Sequence, residues 1–286
     1  MIYVIVSEIS GRHLQNVDQI TNNKYHRWTT GYMALYLIGL GLGDEKDVTL
    51  RGLEIIKRCG RVWLEAYTSV LGCTKEQLEQ LYGRTMELAD RNLVEKQGDS
   101  MVEMAASEDV ALLVVGDPMS ATTHLDLVLR ARKKGVAVDI VHNASVMTAV
   151  GVVGLELYKY GKTTSIVFPD EKMPVETHYD AVKENLTRGL HTLCLLDIKI
   201  GEKEPRFMTI KEGVASLLSV EKKRGENVFT DDTLCVGCAR LGGADLHIKA
   251  GKASELLSED FGGPLHCLIV PGRLHFMEEE ALEQWK

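Results

Sequence analysis

Three glycines alternate in Gly39-Leu40-Gly41-Leu42-Gly43, directly after the apolar run Ala34–Ile38 and just before Asp44. Glycine at such a turn lets the backbone come close to a ligand or take a positive φ without a Cβ penalty. Open α/β sheets bind ligands at strand ends of this kind. A dinucleotide-binding loop is the first chemistry this suggests, but G-x-G-x-x-G needs a third glycine, and the sixth position is Asp44 counted from Gly39 and Lys46 counted from Gly41. Asp44 would also repel a pyrophosphate docked on the following helix N-terminus. Glu65, 22 positions beyond Gly43 and near the end of the next apolar run, stands where a ribose-binding carboxylate belongs. The alternative for it is a solvated or helix-capping side chain.

A second candidate is Gly116-Asp117-Pro118, which stops the wholly apolar run Val110–Val115. A carboxylate there can face ribose hydroxyls, an ammonium or a sulfonium, or simply close an Asx turn. Ser145, after His142-Asn143-Ala144, either hydrogen-bonds a ligand or caps the helix that starts near Val146, and the residues alone favour the cap. Cys235-Val236-Gly237-Cys238 is a single C-x-x-C, whereas structural tetrahedral zinc needs four protein ligands. Residues three apart on a strand also point to opposite faces, so no metal is expected. H-E-x-x-H, G-x-S-x-G and the phosphate-binding P-loop are all absent from the sequence.

These residues need elements to hold them. From Ala34 onward short apolar runs alternate with stretches of helical periodicity, the pattern of a largely parallel sheet built from strand–helix units. Strands are predicted at Ala34–Ile38, Arg61–Ala66, Thr85–Leu88, Val110–Val115 (central, since it is apolar throughout) and Val136–Val141. Helices are predicted from an Asp47 or Thr49 cap to Cys59, near Lys75–Leu81, near Asp99–Ala106 and at His124–Lys134. The second half repeats the alternation: strand Thr164–Phe168, helix Glu176–Arg188, strand Thr192–Leu196, helix Thr209–Lys222, then strands at Thr233–Ala239 and His266–Val270. Glu202–Arg206 reads as a polar surface loop. The predicted division is an N-terminal α/β domain over 33–144 and a C-terminal α/β domain over 145–286. Residues 1–32, with an apolar hexapeptide Met1–Val6 followed by the polar stretch Asn16–Thr30, read as an extension outside the fold; an edge strand at Ile2–Val6 is the rival reading.

Composition sets outer bounds. The chain has 286 residues, 45% hydrophobic and 26% charged, enough for one or two cores. Its formal charge of -8 argues against an extended nucleic-acid footprint. No apolar run approaches the roughly 20 residues of a membrane span. Six scattered cysteines, mostly in apolar contexts such as Leu193-Cys194-Leu195, read as small buried hydrophobes of a reducing, cytoplasmic compartment.

Five strings occur in order: Leu35-Tyr36-Leu37-Ile38-Gly39-Leu40-Gly41-Leu42-Gly43-Asp44; Leu64-Glu65-Ala66-Tyr67-Thr68-Ser69; Gly116-Asp117-Pro118 with Ala121-Thr122-Thr123-His124; His142-Asn143-Ala144-Ser145; and His191-Thr192-Leu193-Cys194-Leu195-Leu196-Asp197-Ile198-Lys199. Together they resemble the diphthine synthase family, from Met33 to about Pro271. That resemblance implies a two-domain tetrapyrrole methylase-like α/β fold with the cofactor in the cleft between domains, and usually a homodimer. It implies an S-adenosyl-L-methionine-dependent methyltransferase of diphthamide biosynthesis, yielding S-adenosyl-L-homocysteine and acting on a 3-amino-3-carboxypropyl-histidine of translation elongation factor 2. The segments look like the eukaryotic type, which adds four methyl groups and gives a methyl ester; the archaeal type stops at the trimethylamine. Carried over by motif, the cofactor contacts are Leu42, Asp117, Ser120, Ser145, Val146, Leu196, Leu241 and His266. Position 120 is Ser where glycine is familiar. No residue is assigned as the proton acceptor. The competing readings are a same-class methylase acting on a small molecule and a non-catalytic module that senses S-adenosylmethionine.

Overall fold

The computed structural model describes residues 33–169, 175–200 and 204–286. The extension over residues 1–32, and with it the Ile2–Val6 alternative, lies outside them. The first half runs β1 (Ala34–Gly39), α1 (Leu50–Arg58), β2 (Arg61–Glu65), α2 (Lys75–Tyr82), β3 (Glu87–Ala89), α3 (Gly98–Ala105), β4 (Val110–Val114), α4 (Leu125–Lys133) and β5 (Ala137–Val141). These strands form a parallel sheet in the order β3-β2-β4-β1-β5. The alternation along each strand decides the layering. Leu35, Leu37, Trp63, Leu112 and Val114 pack toward α3 and α4, while Tyr36, Ile38, Val62, Leu64 and Leu113 pack toward α1 and α2. Helix α1 starts at Thr49, whose hydroxyl accepts from Gly52 N at 3.0 Å, so Thr49 and not Asp47 is the cap. Because every strand of this sheet runs the same way, the ends of β1, β2, β4 and β5 share one edge. Four of the five strings quoted above sit there.

The second half comprises α5 (Val146–Ala149), β6 (Thr164–Ile166), α6 (Thr177–Thr187), β7 (Thr192–Leu196), β8 (Ile198–Lys199), β9 (Arg206–Phe207), α7 (Ile210–Arg224), β10 (Leu234–Ala239), β11 (His247–Lys252), α8 (Ala253–Leu256), β12 (His266–Val270) and α9 (Phe276–Glu283). Its sheet, in the order β11-β10-β12-β7-β6, is mixed, although the strand–helix alternation of this half pointed to largely parallel pairing. Only β6 and β7 pair in parallel, and the β7–β12, β12–β10 and β10–β11 ladders are antiparallel. The reason is connection length: α6 supplies a crossover between β6 and β7, whereas β10 returns directly to β11 over residues 240–246, too few for the dozen or so that a parallel crossover requires. Strand β11 and helix α9 were not anticipated. Arg206, assigned to a polar loop, begins β9, which pairs with β8; residues 202–203 of that loop lie outside the described residues. Cys235 packs on the α7 side of the sheet and Cys238 on the other, as the three-residue spacing requires. Among the described residues no cluster of three or more potential metal ligands occurs.

Candidate functional site

The strand-end loops are tied to each other edge to edge. Leu40 N donates to Val114 O (2.8 Å) and Gly116 N to Gly41 O (2.7 Å), so the glycine turn and the Gly-Asp-Pro loop lie side by side. Gly41 has φ +80°, a conformation that disfavours a side chain. At Gly43 an added Cβ would lie 2.7 Å from the carbonyl oxygen of Gly242, so only glycine lets this turn close on the second half. The turn's amides are already occupied. Asp47 Oδ2 accepts from Leu42 N (3.2 Å) and Gly43 N (2.8 Å), which leaves no amide cradle for a pyrophosphate. Asp44, the acidic residue singled out in the sequence, accepts instead from Lys46 N at 2.8 Å.

Asp117 is buried, and its carboxylate is fully engaged by protein donors. Oδ1 accepts from Met119 N (2.8 Å) and Ser120 Oγ (3.3 Å), while Oδ2 accepts from His142 Nδ1 (2.7 Å) and Asn143 N (3.1 Å). Burial, the largest single influence, would raise its pKa; the Met119, His142 and Asn143 donors outweigh it and hold the carboxyl below its usual range. The Asx turn and the site residue are thus one feature, in which Asp117 clamps the loop after β4 to the loop after β5. Asn143 extends the clamp through Nδ2, which donates to Gly39 O (2.9 Å) and Asp47 O (3.0 Å).

All eight candidate positions line one cavity of about 620 Å³ between the two sheets, in the size range of small-molecule sites. Leu42, Asp117, Ser120, Ser145 and Val146 reach it from the first sheet's edge and the turn into α5. Leu196 and His266 reach it from β7 and β12, and Leu241 from the loop after β10. Ser145 departs from its expected role as a cap. It occupies the residue before α5, yet its Oγ, in a residue 4% exposed, has no hydrogen-bond partner. Thr148 Oγ1 instead serves that end by accepting from Ser145 N at 3.3 Å. A buried hydroxyl facing a cavity without a partner suits a site that receives a polar ligand. His266 accepts from Ile210 N through Nδ1 (3.4 Å) and so donates through Nε2 to Gly263 O (2.9 Å); burial lowers its pKa, leaving a neutral ring.

Sequence reasoning assigned no role to several further lining residues. Arg240 at the end of β10 donates to Phe261 O (2.7 Å), Gly263 O and Asp245 O (3.0 Å), pinning the loops before β11 and β12 into the wall. Tyr67, Thr68 and Thr122 form the corner beyond β2 and β4. Beneath it lies Glu65, 2% exposed, neither ribose ligand nor helix cap: it accepts from Tyr67 N (2.9 Å), Thr68 N (2.7 Å) and Thr68 Oγ1 (2.5 Å). The available signal was position, since these polar residues directly follow strand ends on the ligand-bearing edge.

A doubly layered parallel sheet, a mixed second sheet and a cavity between them describe a class. Residues 34–257 match the model of the Tetrapyrrole (Corrin/Porphyrin) Methylases, and the chain belongs to that family. Within it the similarity is more specific. The chain is 50% identical to the diphthine synthase of Methanocaldococcus jannaschii over 250 residues, 87% of this chain and 97% of that one. It is equally 50% identical to the diphthine methyl ester synthase of Homo sapiens over 266 residues, 87% of this chain and 93% of that one. A crystal structure of a diphthine synthase superposes with TM-score 0.79 at 36% identity, covering 88% of this chain and 95% of its own. The chain is accordingly an S-adenosylmethionine-dependent methyltransferase of the diphthine synthase type.

Proposed function

We propose that this chain methylates the 3-amino-3-carboxypropyl-histidine of translation elongation factor 2, with S-adenosyl-L-methionine held in the inter-sheet cavity by Leu42, Asp117, Ser120, Ser145, Val146, Leu196, Leu241 and His266. The observation that carries the cofactor assignment is the convergence of these eight residues, drawn from both halves of the chain, on one cavity with a partnerless Ser145 hydroxyl in its wall. Leu42, Val146, Leu196 and Leu241 offer the apolar surface that an adenine ring needs, and Asp117 positions the loops around it. When bound, the cofactor supplies a methyl group activated by its sulfonium. The residues' share of catalysis is alignment: holding donor and acceptor at about 3 to 3.5 Å supplies much of the rate of an in-line displacement.

Equal identity to an archaeal diphthine synthase and a human methyl ester synthase leaves the product to experiment. We assign the eukaryotic outcome, three methyls on nitrogen and one ester. We also assign a homodimer in the cytoplasm, a domain division at 144/145 and an extension over 1–32 that activity does not require. No helix among the described residues is long and apolar enough to cross a membrane. The test is incubation with labelled cofactor and elongation factor 2 carrying the unmethylated intermediate, followed by intact-mass measurement. Four added methyls are expected, from the full chain and from a chain starting at Met33. Transfer to a small tetrapyrrole instead, or tight cofactor binding with no transfer, refutes the assignment.

A further inference from the structure

Methylating an amine three times requires the nitrogen to lose protons, and none of the eight cofactor residues offers a basic oxygen with a carboxylate behind it to take them: the Asp117 carboxylate is saturated by four donors, and the Ser145 hydroxyl has no hydrogen-bond partner. The corner of the cavity that the cofactor assignment leaves unused contains one. Thr68 lines it, and the Thr68 hydroxyl gives its proton to Glu65 Oε2 at 2.5 Å, so the oxygen's lone pairs remain for the cavity. Glu65 is out of reach of solvent, yet one hydroxyl away from the cavity. On its far side stands His124, 1% exposed, whose Nδ1 lies 3.1 Å from Pro118 O and 2.6 Å from Thr122 Oγ1. His124 Nε2 in turn lies 3.8 Å from Glu65 Oε2, beyond hydrogen-bond distance, and has no other hydrogen-bond partner among the described residues. The other groups facing this corner are Tyr67, the Arg91 guanidinium 5.4 Å above its ring, and Glu95, which accepts from Thr123 Oγ1 at 3.1 Å.

We propose that Thr68 and Glu65, backed by His124, form the proton-accepting relay for the acceptor amine, an inference that rests on the methyl transfer proposed above. The Thr68 oxygen accepts an N–H of the ammonium. As that N–H bond breaks, a new Oγ–H forms, the original Oγ–H breaks, and its proton passes to Glu65 Oε2. The nitrogen keeps the electron pair, Thr68 is unchanged and Glu65 becomes neutral, with the buried His124 ring packed beside it. The proton returns to solvent through Thr68 after the product departs. Thr68 is the catalytic contact; Glu65 and His124 act through it as positioning residues.

The test compares wild type, Thr68→Val, Thr68→Ser and Glu65→Gln for single-turnover methylation of elongation factor 2 across pH, with calorimetric affinity for the cofactor measured in parallel. Thr68→Val, which keeps the side-chain volume, should slow transfer about 10²-fold, the scale of general-base catalysis. Its cofactor affinity should stay within about threefold of wild type, and Thr68→Ser should restore most of the rate. Glu65→Gln should make the rate rise about tenfold per pH unit where wild type is flat, because solvent must then take the proton. A Thr68→Val chain as fast as wild type overturns the relay, as does a Glu65→Gln chain with the wild-type pH profile. A wild-type chain inert on the factor overturns the proposed function as well, so the two failures are distinguishable.

Discussion

His191 and Glu278, 87 residues apart in the chain, meet through a buried 2.9 Å hydrogen bond from Nε2 to Oε1. The tautomer follows from the other ring nitrogen, since His191 Nδ1 accepts from Gly272 N at 3.0 Å. Glu278 also accepts from Lys159 Nζ, from Glu156 N (2.9 Å) and from His275 N (2.8 Å), so one carboxylate fastens α9 to the start of β7 and to the 156–159 turn. Replacing it by alanine leaves the buried His191 Nε2, the half-buried Lys159 ammonium and two amides without their acceptor. Glu278→Ala should cost about 3 kcal/mol in urea denaturation, the scale of breaking a buried pair. Glu283→Ala, an exposed neighbour paired with Lys286, should stay within about 0.5 kcal/mol.

The same carboxylate sets an acid limit. Burial pushes the Glu278 pKa upward, but the Lys159, Glu156, His275 and His191 donors outweigh it and bring the group from 4.5 to about 2. Glu221 is likewise held at about 2, first by the Phe229 amide and, against burial, by Tyr179, Asn227 and Val228. A folded-state pKa below the unfolded one contributes stability that is complete above about pH 4.5 and disappears as pH falls toward 2. The urea midpoint should therefore decline between pH 5 and pH 2.5, and less steeply in Glu278→Gln. An unchanged slope in that variant would count against the assignment.

Ser145→Ala separates the two readings of that residue. A hydroxyl that capped α5 would cost stability when removed. A buried hydroxyl without a partner should instead leave the melting temperature of the free protein unchanged or higher. Cofactor affinity, measured by calorimetry, should fall about 3- to 10-fold if Ser145 finds its partner in the ligand.

Asp117→Asn should show the opposite pattern in stability. An amide has one acceptor oxygen and cannot receive donors from both loops, so the clamp between Met119 and Asn143 opens on one side. A loss of about 2 kcal/mol and roughly tenfold weaker cofactor binding are expected, on the scale of hydrogen bonds to a charged group. Binding unaffected by this change would show that the loop holds its shape without Asp117.

Much of the site was legible before the fold, for local reasons. The run Val110–Val114 is buried at every position and indeed lies in the middle of its sheet, because burial on both faces leaves a mark in composition. Adjacent parallel strands bring their following loops level, and the β1–β4 register, with Gly39 beside Val114, does this for the glycine turn and the Gly-Asp-Pro loop. What could not be read was partner choice. Asp44 and Asp47 have equal local claims on the glycine turn, and only the path of the chain into α1 brings Asp47 Oδ2 to the Leu42 and Gly43 amides. Likewise Glu65 sits in an ordinary strand-end string, and its burial against His124 follows from the adjacency of β2 and β4.

Residue type and spacing therefore decided the strand–helix rhythm of the first half and the absence of a dinucleotide signature, which depend on periodicity and glycine geometry, while the eight candidate positions came from the family resemblance carried in short motifs. Tertiary structure alone decided that the second sheet is mixed, that Ser145 faces the cavity without a partner, and that a carboxylate on α9 closes onto a histidine of β7's approach. Those outcomes depend on which distant groups burial forces together, and a buried polar atom's partner is set by the packed chain around it.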